Sequence, residues 1–331
     1  MYRQQFDTIQ ASIYRWQLLK ARHPRWCGQT MARTLLPALR NQAQAIPAKK
    51  DAQFLYGGLV GFLSNTAMFA SFISITPEFA LVVANVLMLP WRLRQKLYLV
   101  LEEKKMVAKD TYEFIFKKPY GFTFEAGQYL EWMLPHTPSD HKGPRRYFTI
   151  SSSPTEEKVR VAMKIVGTPS SYKNALGLLD VNQTVIASQL AGDFLLPKNP
   201  ETNLGLIAGG IGVTPFRSHI KYMIDSEKQH DTVLYYCNNT KDDIAYQNIF
   251  AEAERAFPFS VVNVVANETL PSPFEAGYVT ARMIARRTPD FHERVWYISG
   301  PPGMVSTYAR LLRGMGIPHS HIKKDFFPGA V

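Results

Sequence analysis

At 331 residues the chain has room for two or three domains. Two cysteines, Cys27 and Cys237, exclude a disulfide framework and any all-cysteine iron–sulfur cluster, and the hydrophobic fraction of 46% is that of an ordinary globular protein. The net charge of +11 is concentrated in residues 1–50, where nine Lys/Arg face the single acid Asp7, so the basicity points to a membrane surface before nucleic acid.

Residues 1–52 read as a basic leader, too long and with its apolar stretch too late for an ordinary signal peptide. TIQASIYRWQLLKA within it fits an amphipathic helix on a membrane or a basic, partly ordered tail. From Phe54 to Ile75 the chain is apolar and uncharged. At a rise of about 1.5 Å per residue, this stretch is long enough to cross a bilayer core. Thr76-Pro77-Glu78 makes a turn, and FALVVANVLMLPW (79–91) follows, short for a span unless Arg92 and Arg94 snorkel. Lys49 and Lys50 precede the pair, and Arg92, Arg94 and Lys96 follow it. The positive-inside rule then predicts a helical membrane hairpin over 53–95 with both ends cytoplasmic. The competing reading is a buried helical pair or an interaction surface.

Residues 96–199 read as short strands: KLYLVLEEKKM, DTYEFIFKK, FTFEAGQYLEWMLP, RYFTISSSP, KVRVAMKIV and TVIASQLAGDFLLP. Their number and spacing predict a six-stranded antiparallel barrel, with SSYKNALGLL as its one helix. From 200 to 331 strand and helix alternate. The strands are LGLIAG, TVLYYCN, SVVNVVAN, RVWYIS and HIKKDFF; the helices are PFRSHIKYMIDSE, DIAYQNIFAEAERAF, TARMIARRT and PGMVSTYARLLRGM. The pattern predicts a five-stranded parallel α/β domain, so the fold class is β + α/β preceded by a membrane hairpin.

The stretch LGLIAGGIGVTPFRSHI (204–220) carries the strongest signal. A buried strand runs into Gly209, Gly210 and Gly212, and Thr214 and Pro215 then open a helix. Glycines admit a ligand close to the backbone, and a helix N-terminus offers free N–H groups to a pyrophosphate. Gly300 to Met304 ends a second strand of the same sheet, where such sheets bind ligands.

From about residue 97 onward, these motifs in this order resemble the ferredoxin–NADP reductase superfamily, a flavin-binding barrel followed by a nicotinamide-binding domain. The resemblance implies FAD and NAD(P)H as cofactors. In Arg146-Tyr147-Phe148-Thr149 it implies Arg146 on the FAD pyrophosphate, Phe148 stacked on the isoalloxazine in place of the usual Tyr, and Thr149 directed at flavin N5, with Tyr147 and Ser151 in the same strand region. In GTPSSYKNAL it implies Gly167, Ser170 and Ser171 against the diphosphate. Gly209, Gly210, Gly212, Thr214 and Pro215 would receive the nicotinamide cofactor, together with Gly300, Pro301 and Met304. Ser299 stands where the family usually has Cys beside the nicotinamide. Phe326 or Phe327 would cover the flavin in place of a terminal aromatic, because the chain ends Ala330-Val331.

The apolar segment weakly resembles the tail of the membrane subunits of the Nqr and Rnf ion-pumping complexes. The Ser/Thr-Gly-Ala-Thr site for covalent flavin in those subunits is absent, and no ion pumping is carried over. A membrane haem reductase is excluded because no His lies between His23 and His136. His219 and His230 read as surface residues. In Asn238-Asn239-Thr240-Lys241-Asp242-Asp243, Lys241 suits a 2′-phosphate while Asp242 and Asp243 repel one, which leans to NADH. The expected function is a flavin oxidoreductase at the inner membrane, its catalytic domains cytoplasmic, passing electrons from NAD(P)H through FAD to ferredoxin, flavodoxin, a quinone or a membrane redox partner, without nucleic acid. The alternative is a non-catalytic assembly or sensing subunit that keeps the fold.

Overall fold

The computed structural model describes residues 96–226 and 228–326, all within one compact unit, Trp91–Val331. The expected leader, the hairpin over 53–95 and Phe327 lie outside the described residues. Among the described residues, no helix is long and apolar enough to cross a membrane.

The first layer is a six-stranded antiparallel sheet: β1 (Leu97–Ala108), β2 (Thr111–Lys117), β3 (Tyr129–Met133), β4 (Arg145–Thr149), β5 (Lys158–Lys164) and β6 (Thr184–Ala191), in the order β4-β3-β6-β1-β2-β5. Of FTFEAGQYLEWMLP only β3 is strand. Gly127, at φ +92°, ends the irregular run before it, and a Cβ there would stand 2.0 Å from the carbonyl oxygen of Phe194. β1 carries register shifts between Leu101 and Glu103 and between Met106 and Ala108, which bend the strand as bulges do. Inward residues Leu99, Leu101, Phe114, Phe116, Leu130, Trp132, Val159 and Val161 fill the barrel, closed at one end by Tyr172 and Leu176 of α1 (Ser171–Gly177). Each such side chain, fully buried, contributes about 1.5–3 kcal/mol.

The second layer is parallel and ordered β10-β9-β8-β7-β11-β12, built from β7 (Leu204–Gly209), β8 (Thr232–Asn238), β9 (Phe259–Val265), β10 (Glu275–Ala276), β11 (Val295–Gly300) and β12 (Ile322–Phe326). The sheet has one strand more than expected. β10 is a two-residue edge pairing with Val264 and Val265, too short to leave a pattern in sequence. Helices α2 (Thr214–Ser226) and α3 (Gln247–Ala256) bury Phe216, Ile220, Met223 and Phe250 on one face. Helices α4 (Ala281–Arg287) and α5 (Pro302–Gly314) bury Ile284, Val305 and Leu312 on the other. β7 is buried at every residue, as a central parallel strand must be. The chain winds outward from β7 through β8 and β9, then returns to lay β11 on its other side. The strand order therefore reverses between β7 and β11, the position at which such sheets open a ligand crevice.

Candidate functional site

Both glycine motifs end at this reversal. β7 runs into a 3₁₀ turn, Gly210–Val213, which passes directly into α2, so the helical backbone begins four residues before the expected Thr214. Gly212 is pressed on the other motif, where a Cβ would lie 2.4 Å from the Ser299 carbonyl oxygen. A Cβ on Gly209 would meet the Met304 sulfur at 2.2 Å. Gly210 is different: its φ is +51° and nothing stands within 4 Å of a Cβ. Its open side faces a cleft of ≈ 340 Å³ lined by Gly209, Gly210, Ile211, Asn238, Pro301 and Met304. Asn238 is buried, and neither its Oδ1 nor its Nδ2 has a hydrogen-bond partner. An orphan amide in a largely apolar cleft fits a ligand that supplies both a donor and an acceptor.

The barrel supplies the cleft's cations. Lys164 and Lys173 line it, and Lys173 donates 2.9 Å to the Lys164 carbonyl. Burial holds the Lys173 ammonium below its ordinary pKa. Lys164 pairs at 2.5 Å with Asp243, whose other oxygen accepts from Thr240 N and Oγ1 at 3.0 and 2.9 Å. Both carboxylate oxygens are thus engaged and the charge is neutralised, which removes the expected repulsion of a 2′-phosphate by Asp243. Lys241 does not line the cleft, and its ammonium lies over the Phe274 ring at 5.8 Å. Sequence reasoning missed Lys164 and Lys173, and it had Asn238 only as the first residue of the Asn238–Asp243 stretch, with no role of its own. The first two lie on barrel segments far along the chain from the glycine turn.

On the flavin-motif strand, alternation sorts the expected residues. Arg146 and Phe148 share one face: the Arg146 guanidinium lies 5.2 Å from the Tyr172 ring centre and Phe148 lies 5.8 Å from it. Tyr147 is on the opposite face, mostly exposed, with its hydroxyl donating 3.2 Å to Glu131. Thr149 has the same parity as Tyr147 and is buried. Ser151 is buried with its Oγ unpartnered. Gly167 takes φ +57° in the turn before α1, which leaves space around it, and Ser170 caps α1 by accepting from Lys173 N at 3.4 Å.

The Arg146 fork already holds an anion. Both oxygens of Asp140 accept from Nη2 at 2.8 Å, and Nη1 donates to the carbonyls of Lys142, Gly143 and Arg145. Ser171 Oγ accepts from Asp140 N at 3.0 Å and bonds His136 Nε2 at 2.9 Å. A carboxylate therefore already sits on the guanidinium that the resemblance assigns to the diphosphate, so this donor set suits an oxyanion.

At the far end of the same region, Ser299 is fully buried with an unpartnered Oγ, in register with Ala208 of β7 and Asp325 of β12. Burial, with the charge of Asp193 adding to it, pushes the Asp325 carboxyl up to about 6. Thr214 and Pro215 are buried in the first turn of α2, and Thr214 Oγ1 donates to Ile211 O at 3.2 Å. Gly300, at φ +153°, brings its backbone against Gly209. Phe326 ends β12 about half exposed.

His219 and His230 are not surface residues. His219 is fully buried, its Nε2 donating to the Phe194 carbonyl at 2.9 Å, and burial lowers its pKa to about 4. His230 is also buried, bonded to Thr202 O at 2.9 Å. The expectation failed for His219 because the face of α2 that carries it is covered by other segments of the chain, Phe194 among them, and for His230 because the loop before β8 is packed on the Thr202 carbonyl.

The family described as the oxidoreductase NAD-binding domain matches residues 206–310. A flavohemoprotein of Xylella fastidiosa is 25% identical over 206 residues, 61% of this chain and 51% of the relative. The glycine betaine monooxygenase reductase subunit of Chromohalobacter salexigens is 25% identical over 224 residues, 66% of this chain and 60% of the relative. The chain thus spans about half to three-fifths of the length of these relatives. Among solved structures, a ferredoxin NADP⁺ reductase from Neisseria gonorrhoeae with bound FAD and NADP shares the fold at a TM-score of 0.60 and 16% identity, covering 70% of this chain and 98% of that one. Residues 206–310 thus match an oxidoreductase NAD-binding domain, the described fold is shared with a ferredoxin NADP⁺ reductase, and the chain is similar to reductases that use FAD and NAD(P)H.

Proposed function

We propose that the chain oxidises NAD(P)H and delivers the electrons to a protein redox centre, held at the cytoplasmic face of a membrane by residues 53–95. The carrying observation is one cleft lined by the glycine turn of the parallel domain and by Lys164 and Lys173 of the barrel. Bound FAD would supply the chemistry of accepting a hydride and releasing electrons singly or in pairs. The chain's residues supply binding and orientation. Gly210 would let the nucleotide approach the backbone, Lys173 would offset its diphosphate charge, and Asn238 would offer it a donor and an acceptor. Arg146 and Ser171 would hold the flavin diphosphate, Phe148 would stack on the flavin ring, and the buried Thr149 and Ser299 hydroxyls would hydrogen-bond the reacting rings. The protein acceptor is favoured because the Chromohalobacter relative is a reductase subunit of a monooxygenase. The anchor is favoured by the uncharged run from Phe54 to Ile75.

Anaerobic titration with NADH and then NADPH tests the reaction. Bleaching of the flavin absorption by either supports it and names the donor, and a yellow protein that neither bleaches refutes it. Release of the full-length chain by carbonate washing would refute the anchor.

Asp325 gives a pH signature. Its folded pKa of about 6 lies above the unfolded value of 3.8, so its favourable contribution is complete below that value and is lost as pH rises through about 6. The loss should approach about 3 kcal/mol, at 1.36 kcal/mol per unit. Asp325→Asn is therefore expected to be more stable than wild type at pH 8 and equal to it near pH 4, read by urea midpoints. Equal midpoints at both pH values would show that the carboxyl is not desolvated.

A further inference from the structure

We propose that Asp140 is an internal competitor for the flavin diphosphate: its carboxylate closes the Arg146–Ser171 oxyanion site, and FAD enters only as the 135–144 connection lets go. The inference rests on the reading of Arg146 as the diphosphate anchor.

The observations are specific to this connection between β3 and β4. Asp140 places both carboxylate oxygens 2.8 Å from Arg146 Nη2, and its own backbone N–H occupies Ser171 Oγ at 3.0 Å. One residue thus holds Arg146 Nη2 with its carboxylate and ties itself to Ser171 Oγ with its backbone N–H, engaging both groups expected to take the diphosphate. The loop is shaped to present it: Lys142 N donates to Asp140 Oδ1 at 2.9 Å and Gly143 N to Asp140 O at 2.9 Å, a tight turn with Asp140 at its head. Arg146 Nη1 is meanwhile drawn onto the carbonyls of Lys142, Gly143 and Arg145 at 3.1, 2.7 and 2.7 Å, so the guanidinium is wrapped by the same loop. The site is semi-enclosed, with the Asp140 and Arg146 side chains 24% and 17% exposed, so screening by solvent is incomplete.

A carboxylate and a diphosphate cannot share these donors. Each needs the same N–H groups, and their like charges repel at contact distance. FAD must therefore displace Asp140 into solvent, and the lost carboxylate–guanidinium contact subtracts from its affinity. Without FAD the same contact keeps Arg146 from standing as an unpaired, partly buried cation, which would be costly. The loop is in this sense a lid that the cofactor has to open, and the flavin is expected to bind more loosely and enter more slowly than the donor set alone would give.

The test is a flavin fluorescence-quench titration of the full-length chain, stripped of flavin, as wild type, Asp140→Asn, Arg146→Ala and the double variant, with thermal unfolding as the check on folding. Asn keeps the shape and the backbone contact to Ser171 while removing the charge. Asp140→Asn is expected to bind FAD about tenfold more tightly, the usual worth of one charge-assisted contact, and to associate faster. Arg146→Ala should bind about tenfold more weakly, and the double variant should match it, because without the guanidinium there is nothing to compete for. Wild-type or weaker affinity in Asp140→Asn, with Arg146→Ala still impaired, overturns the competitor and leaves the anchor standing. Tightening that persists in the double variant overturns it too. An unimpaired Arg146→Ala removes the anchor reading itself.

Discussion

Arg217→Met is expected to lower the unfolding free energy by about 3–5 kcal/mol, the usual cost of stripping one partner from a buried ion pair. Arg217 stands on α2, four residues beyond the glycine turn, and is 4% exposed. Its guanidinium is bound by the Glu156 carboxylate, Nη2 donating 2.9 Å to Oε1 and Nη1 to Oε2, and Nη1 also donates 3.0 Å to the Ser151 carbonyl. Glu156 continues the chain of charge to Arg160 at 3.1 Å, Arg160 to the buried Glu113 at 2.9 Å, and Tyr246 of the parallel domain returns to Glu113 at 3.0 Å. Burial alone would raise the Glu156 carboxyl, but the Arg217 guanidinium holds it below the ordinary range. The substitution leaves that partly buried carboxylate with only Arg160 on Oε1 and Ser153 N on Oε2, and it leaves the Ser151 carbonyl without its Arg217 donor. Arg217→Met combined with Glu156→Leu should recover much of the loss, since an apolar pair of similar volume replaces the ion pair without orphaning a charge. Urea unfolding followed by tryptophan fluorescence measures both. A single variant within 1 kcal/mol of wild type would mean that the network is solvated and contributes nothing.

The same contacts have a functional side. Ser151 lies two residues beyond Thr149, and Ser218 Oγ donates 2.6 Å to the Ser152 carbonyl. The helix that opens from the glycine turn is thereby bolted to the end of the flavin-motif strand. Tyr297 adds a hydroxyl bond of 2.6 Å to Leu195 O, close to Ser299 on β11. These bonds fix how far the nucleotide turn stands from β4, so any variant that loosens them should slow hydride transfer before it lowers flavin content.

Little of this network was legible in the sequence. The glycine turn, the strand ends and the order of barrel before parallel sheet were legible because each is local: a run of apolar β-formers, a turn residue, a helix period. Arg146-Tyr147-Phe148-Thr149 announced itself as a strand, and the two-residue period then placed Arg146 and Phe148 together. Arg217 and His219 carried no such signal. Their burial depends on the barrel covering a helix that in isolation reads as amphipathic, so polar residues on its second face looked like surface. Asp140 was invisible for a different reason. It sits in a Pro- and Gly-containing connection, PHTPSDHKGP, whose composition says only loop, and its role comes from a contact with a guanidinium six residues on. Asp243 was legible as an acid near the ribose position but not as one neutralised by Lys164, because the two meet across separate sheets.

Gly212→Ala and Gly210→Ala, two residues apart, are expected to fail in opposite ways. At Gly212 the added Cβ would lie 2.4 Å from the Ser299 carbonyl oxygen and 2.7 Å from the Gly300 Cα, both backbone. No side chain is free to turn aside, so the turn and the end of β11 must part. Tight packing transmits such a shift, and the expected cost is at the upper end for a single substitution, more than about 3 kcal/mol. Because Ser299 is the displaced residue, hydride transfer should be lost even where the flavin remains bound. At Gly210 the Cβ meets nothing within 4 Å, and the only internal cost is the left-handed φ of +51°. That strain is about 1–2 kcal/mol for a residue with a side chain. If the open side is the nucleotide's approach, as proposed, Gly210→Ala should fold, bind FAD and reject NAD(P)H, raising its KM at least tenfold with thermal stability only modestly reduced. Thermal unfolding and nucleotide titration of the two variants side by side separate the effects. A stable Gly212→Ala would mean that the two motifs are not in contact, and an unchanged nucleotide KM in Gly210→Ala would mean that the cofactor does not cross this turn.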